Sequence, residues 1–235
     1  MASTNSDNRF FSTALGQIVR RRRMTRTFEG GPSLEDLTKL GELALRAPSA
    51  GFSQGAHLLI LVGEDLPRFW QVSGVGAWFG KTSPGVLDAQ AVILVLADES
   101  AYTNRYSEGD KAGHGLEKAE NWVKPMWLTD AALVTQNLLL LIEEQRWGAL
   151  LFDLFVEPRK LLDAFEVPAN VHCAGVVAVG YRHPQDQPSG TPTQRQRKAS
   201  VDLLHIGTWN THIGDSLGKE KPGFIGLEYK SQLYR

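Results

Sequence analysis

Residues 91–97 read AVILVLA, seven apolar residues with no polar break. A short run of this kind, rich in β-branched residues, is a strand covered on both faces, because a strand with one wet face alternates apolar with polar side chains. HLLILVG at 57–63 has the same character, and GALLF at 148–152 and AGVVAVGY at 174–181 complete a set of four strands. Helical periodicity fills the intervals. Phe11, Leu15, Ile18 and Val19 give one helix from Phe10 to Arg23. A second, from Ser33 to Arg46, starts on an S-x-x-D signal, carries Leu34, Leu37, Leu40, Leu43, Ala44 and Ala47 on one apolar face, and stops at Pro48. Pro67 to Trp78 is predicted helical, 101–124 a loop or lid with little core material, Pro125 to Gln145 a long helix and 158–165 a short one. Helices and strands alternate imperfectly, which predicts a mixed β-sheet flanked by helices.

Length and composition agree with a single compact domain. A chain of 235 residues can bury roughly 70% of its extended surface, so no disulfide staple is needed, and the one cysteine, Cys173, permits none. Within VHCAGVVAVG it reads as a small buried hydrophobe, and the implied compartment is a reducing cytoplasm. Charge is balanced, 25 basic against 26 acidic residues, which argues against a nucleic-acid or anionic-membrane partner. MASTNSDNRF lacks the basic and apolar regions of a signal peptide, and residues 1–9 are expected to be disordered. The most apolar segment, MWLTDAALVTQNLLLLI, is broken by Thr129, Asp130, Thr135, Gln136 and Asn137 and reads as a core helix.

Several catalytic patterns fail on spacing. GVGAWFGKTS puts five residues between Gly74 and Gly80 and three between Gly76 and Gly80, whereas a P-loop needs four between its glycines. GDSLG at 214–218 fits a nucleophile elbow, but no histidine follows Ser216. The six histidines show no metal-ligand spacing, so no metal site is expected, and no G-x-G-x-x-G follows a strand.

Three features survive. RRRRMTRTF at 20–28 sets guanidiniums 22, 23 and 26 within one turn of a helix terminus, and arginine grips phosphate bidentately; a solvated basic face explains four arginines nearly as well. RAPSAGFSQG at 46–55 leaves a helix through small residues that let backbone groups approach the edge of a flat ligand, with Ser49 and Gln54 as polar contacts; an ordinary helix-to-strand connection is the simpler account. RQRK at 195–198 is a second basic cluster, or a solvated loop.

Taken in order, RRxxRxF, a helix, APSAGxxQ, a long helix with Asn137, WGALLFD, R-x-R and D-x-x-x-x-G-x-W resemble the FMN-dependent nitroreductase family over about residues 15–209. The resemblance implies an α+β fold with a mixed central sheet, an intertwined homodimer, and FMN at each subunit interface. Arg22, Arg23 and Arg26, with Met24 at a position often held by serine, match the residues on the FMN phosphate and ribityl chain, and Arg195 and Arg197 match a late basic pair on the same phosphate. Pro48, Ser49, Ala50 and Gln54 match the turn that reaches the flavin, usually from the partner subunit. Leu150, Leu151, Phe152 and Asp153 match the strand end behind the isoalloxazine, where a backbone N–H, that of Asp153, faces the hydride-accepting nitrogen. Two departures stand out: the family turn commonly reads PSxxNxQPW, where this chain has Phe52 and Gly55-Ala56, and Asp153 replaces a frequent Gly or Glu.

The flavin then carries the hydride chemistry, and the protein supplies binding and orientation. The implied function is hydride transfer from NAD(P)H through FMN to a nitroaromatic, quinone or unsaturated small molecule by ping-pong turnover. Alternatives are an FMN-dependent dehydrogenase or oxidase of a metabolite, and a non-catalytic flavin-sequestering protein. Trp122, Met126, Trp127, Leu128, Leu133, Leu138 and Leu141 exceed what one core helix needs, which points to a dimer interface. The expected organisation is a domain at 10–209 and an arm at 210–235 that wraps the partner subunit.

Overall fold

A computed structural model describes residues 9–154, 157–188 and 191–212. The expectations for residues 1–8 and for the tail from 213 onward lie outside the described residues. The chain divides into two compact units, Met1–Gln187 and Pro188–Arg235. The first runs α1 (Arg9–Ser12), α2 (Ala14–Arg21), α3 (Leu34–Ala44), β1 (Ala56–Val62), α4 (Asp65–Val72), α5 (Val75–Thr82), β2 (Ala91–Asp98), α6 (Glu99–Arg105), α7 (Met126–Glu144), β3 (Gly148–Phe152), α8 (Pro158–Ala164) and β4 (Val171–Gly180). The second contains α9 (Thr191–Gln194), a 3-10 turn at Ser200–Asp202 and a bridge between His205 and His212.

The strands form one sheet in the order β1-β2-β4-β3. The α+β class is as expected. Every pairing among the described strands is antiparallel, so the parallel part of the expected mixed sheet is not found among them. The apolar run 91–97 has a direct physical cause. Side chains alternate across a strand, and Val92, Leu94 and Leu96 enter one core with Phe69, Val75, Phe79 and Leu161. Ala91, Ile93, Val95 and Ala97 enter the other, against Leu37, Leu40, Val134, Leu138 and Ile142. The sheet is thus sandwiched between α4, α5 and α8 on one face and α3 and α7 on the other. Both faces of β2 are dry, and alternation has nothing polar to show.

Several boundaries differ from the periodicity. The first helix breaks at Thr13, whose side chain accepts from the Gly16 N–H and restarts the helix as α2. The segment 67–78 is two helices, because Gly74 adopts φ 71° between them. The segment expected to be a lid holds α6, and Tyr102 within it is fully buried, so it does contribute core. On α3, Leu37, Leu40 and Ala44 are buried, but Leu34 and Leu43 of the expected apolar face are exposed. The crowding on and before α7 is absorbed within the chain only in part. Trp127 and Leu138 are buried within the chain, Trp122, Met126, Leu128 and Leu141 are half-buried and Leu133 is exposed, and further exposed apolar side chains lie on α1 to α3, at Phe11, Leu15, Val19, Leu34 and Leu43.

Leu37 and Leu43 are 0% and 58% exposed on the same helix. In denaturant unfolding, Leu37→Ala is expected to cost about 2–5 kcal/mol through the cavity it leaves, and Leu43→Ala to stay within about 0.5 kcal/mol.

Candidate functional site

The arginine run leaves α2 and lies along the outer edge of β3. Thr25 N donates to Ala149 O at 2.8 Å, Phe28 bridges Arg182, and Leu151 N donates to the Met24 thioether at 3.4 Å. This close approach needs Gly148, since a Cβ there would sit 2.8 Å from the Thr25 methyl. The site is thereby assembled from two pieces of chain about 125 residues apart, the arginines and the end of β3.

The run is not used uniformly. The Arg20 guanidinium lies 5.6 Å from the Phe11 ring centroid. Arg21 Nε donates to the buried Glu143 carboxylate at 3.0 Å, and Arg182 Nη2 takes the other oxygen at 2.9 Å. Arg23 forms an ion pair with the buried Asp186 and also donates through Nη2 to its backbone carbonyl at 2.9 Å. Arg23 is therefore occupied within the protein. Arg22 is different: its Nη1 is shielded from solvent and has no hydrogen-bond partner among the described residues. The Arg26 side chain likewise has none, and only its backbone N–H is held, by Asp186 Oδ1 at 2.9 Å. A solvent-shielded guanidinium N–H without an acceptor is costly, so the pair Arg22 and Arg26 fits an anionic group that supplies one.

The turn after α3 is strained and tightly held. Gly51, Phe52 and Gln54 all have positive φ, of 61°, 59° and 53°, which for the two non-glycine residues is uncommon. The backbone is fixed at several points. Ala50 N donates to Asp130 Oδ2 at 2.8 Å, the same oxygen that accepts from the Tyr102 hydroxyl at 2.8 Å. Arg105 Nε donates to Gly51 O at 2.8 Å, and Gln54 N donates to Ser49 Oγ at 3.0 Å. Burial, with the Asp130 hydrogen bond beside it, pushes the Tyr102 hydroxyl above its ordinary range and keeps it a donor. The outcome is a rigid turn with Phe52 at its tip, 74% exposed, and Pro48 and Gln54 also open to solvent.

At the end of β3, Leu150 is buried, Leu151 and Phe152 are half-buried and Asp153 is exposed, its carboxylate accepting from Leu154 N at 2.8 Å. Phe152 stacks on Trp70 with centroids 6.2 Å apart and meets Phe79 edge-on at 5.1 Å, which gives the strand end a firm aromatic backing. Asn137 faces elsewhere: its Nδ2 donates to Ala44 O at 3.2 Å and ties α7 to the end of α3. Arg195 and Arg197 lie in the second unit, exposed, just after α9.

A family model for the nitroreductase family matches residues 19–181, from the arginine run through the last strand. The chain belongs to the nitroreductase family. Among curated relatives of this chain is a provisionally named NADH dehydrogenase/NAD(P)H nitroreductase of Archaeoglobus fulgidus, 24% identical over 178 residues, covering 74% of this chain and 86% of the relative. Solved structures of like fold include the nitroreductase CinD from Lactococcus lactis in complex with chloramphenicol, with a TM-score of 0.64 at 18% identity over 82% of this chain and 98% of that one. Another is a provisionally named nitroreductase in complex with FMN from Exiguobacterium sibiricum, with a TM-score of 0.62 at 18% identity over 83% and 98%.

Sequence reasoning missed the four side chains that organise the candidate site: Asp130, Glu143, Asp186 and Tyr102. A signal existed for two of them. Asp130 and Glu143 are carboxylates in the most apolar helix of the chain, at positions that its packing buries, and a buried carboxylate requires a partner. Asp186, in the turn-rich PQDQPSG, carries no such mark.

Cys173, opposite Leu96 on β4, is half-buried rather than fully enclosed. Burial pushes its thiol up to about 11. The thiolate is the reactive form, so the folded protein at pH 8 is expected to react with iodoacetamide about two orders of magnitude more slowly than the denatured chain. The rate should climb as the pH is raised toward 11, and mass spectrometry of the alkylated fraction measures both.

Proposed function

We propose that this nitroreductase is an FMN-dependent oxidoreductase that passes hydride from NAD(P)H to a nitroaromatic, quinone or unsaturated small molecule, by ping-pong turnover in one pocket. The observation that carries the reading is the solvent-shielded Arg22 Nη1, which has no partner among the described residues, in the same segment as Arg26, whose side chain has none there either, along the edge of the strand that ends in Leu150–Asp153. Arg22 and Arg26 would hold the FMN phosphate, with Met24 packed below and Arg195 and Arg197 assigned to the same phosphate by the family resemblance. FMN, when bound, supplies the hydride-accepting and hydride-donating ring.

The chain's own residues bind and orient. The backbone of Leu151–Asp153, backed by Phe152 on Trp70, offers a flat support, and the rigid turn of Pro48, Ser49, Ala50 and Gln54 fixes how closely a ring edge approaches. Phe52, where the family turn commonly has asparagine, adds an apolar surface that excludes water. In this reading the active form is a cytoplasmic homodimer in which the turn reaches the partner's flavin. The exposed apolar side chains of α1 to α3 support such an interface. Among the described residues no helix is long and apolar enough to cross a membrane.

The purified protein is expected to be yellow and to release FMN rather than FAD on heating; release of FAD, or a colourless protein that FMN does not stabilise, overturns the reading. Anaerobic NAD(P)H should bleach the flavin band and an added quinone or nitroaromatic should restore it, whereas bleaching only by an organic metabolite would make the protein a dehydrogenase, and no bleaching a flavin-sequestering protein. The double substitution R22A/R197A removes charge-assisted hydrogen bonds worth roughly 1.5–3 kcal/mol each, and is expected to weaken FMN binding by about two to four orders of magnitude in fluorescence titration.

The tail after Trp209 is part of the same proposal, as an arm on the partner subunit. A chain ending at Trp209 is expected to melt at a lower temperature and hold FMN more loosely. A truncated dimer with unchanged melting temperature and full FMN occupancy would show that the tail is no arm.

A further inference from the structure

Asp186 lies in the turn after β4, its side chain 2% exposed, and gathers most of the arginine segment around one carboxylate. Oδ1 accepts from two consecutive backbone groups, Arg26 N and Thr27 N, both at 2.9 Å. Oδ2 takes Arg23 Nη1, while Arg23 Nη2 donates to the Asp186 carbonyl. Two consequences follow. Fixing the amides of residues 26 and 27 sets the direction in which the Arg26 side chain leaves the backbone. Neutralising Arg23 removes the middle guanidinium of the three, leaving its neighbour Arg22 with a shielded and unpartnered Nη1. Glu143 plays the corresponding part for Arg21 and Arg182, but it touches no backbone of the 22–27 segment.

We propose that Asp186 is a positioning residue for phosphate recognition: it withdraws Arg23 from the ligand and aims Arg22 and Arg26 at it, so that selectivity for a phosphorylated flavin depends on a carboxylate that does not touch the ligand. This rests on the FMN reading above. It departs from the sequence-level assignment in one respect: of the three arginines 22, 23 and 26, the middle one is structural. Breaking a buried ion pair is strongly destabilising in itself, so loss of stability alone says nothing about this role. The informative quantity is discrimination between FMN and riboflavin, which differ only in the phosphate.

The experiment measures dissociation constants of FMN and riboflavin for the full-length apoprotein. Asp186→Asn keeps the shape but not the charge, and is expected to lower the FMN-to-riboflavin selectivity at least about tenfold while riboflavin affinity changes less than threefold. A drop in both affinities by the same factor, or unchanged selectivity, overturns the proposal. A matched pair of conservative variants tests it without touching Asp186. Arg22→Lys is expected to cost about tenfold in selectivity and Arg23→Lys less than threefold, because only the first guanidinium faces the phosphate; the reverse order overturns the assignment. If the wild-type protein itself binds riboflavin as tightly as FMN, the FMN reading fails and this inference falls with it, an outcome read before any variant is made.

Discussion

Two buried carboxylates beneath a run of arginines set the terms for the rest of the molecule. Four consecutive guanidiniums at a helix end repel one another, and a chain segment so charged has no reason to lie against an apolar sheet. Glu143 pairs with Arg21 and Arg182 and Asp186 with Arg23, so that charge is cancelled where the chain turns inward. With the charge cancelled, residues 24–28 add themselves to the edge of β3 through the Thr25 amide and the Phe28 bridge. An open sheet edge is a liability, and here the same segment covers it and carries the candidate anion site. The selectivity of the pairing matters as much as its existence, because it leaves Arg22 and Arg26 unmatched.

The second half of the site depends on a different balance. The turn at 49–55 holds two non-glycine residues at positive φ, a conformation that costs of order 1–3 kcal/mol each unless the surroundings enforce it. Enforcement comes from α6 and α7. Asp130 holds the Ala50 amide and the Tyr102 hydroxyl through one oxygen, and Arg105 holds the Gly51 carbonyl. Gly51 is needed there, since a Cβ would meet the Tyr106 ring at 2.8 Å. In the proposed hydride transfer, a rigid, strained turn would contribute placement and the cofactor reactivity.

Much of the fold was legible in the amino-acid order. The four strands announced themselves through apolar runs, most fully at β2, where both faces are covered and no polar position interrupts the run, whereas the edge strand β1 carries the exposed His57 and buries only Leu61 completely. The long helix and its ends were legible too. Less so were the break at Thr13 and the division at Gly74, since a side-chain cap and a single positive φ leave the apolar period on either side intact. The exposed Leu34 and Leu43 on α3 were unreadable for a related reason: periodicity reports which face is apolar, not how much of that face a neighbour covers.

By itself the sequence determined the residue types of the candidate site, their order and the α+β class, through hydrophobic period and motif spacing. Tertiary structure decided which members of the motif are available. Arg23 and Asn137 look like ligand residues in the sequence but are engaged by Asp186 and by the Ala44 carbonyl, while Arg22 Nη1 has no partner among the described residues. That distinction arises because an ion pair is settled by proximity in space, and Asp186 and Glu143 reach the arginine run from 163 and 122 residues away. No local pattern records a partner that distant.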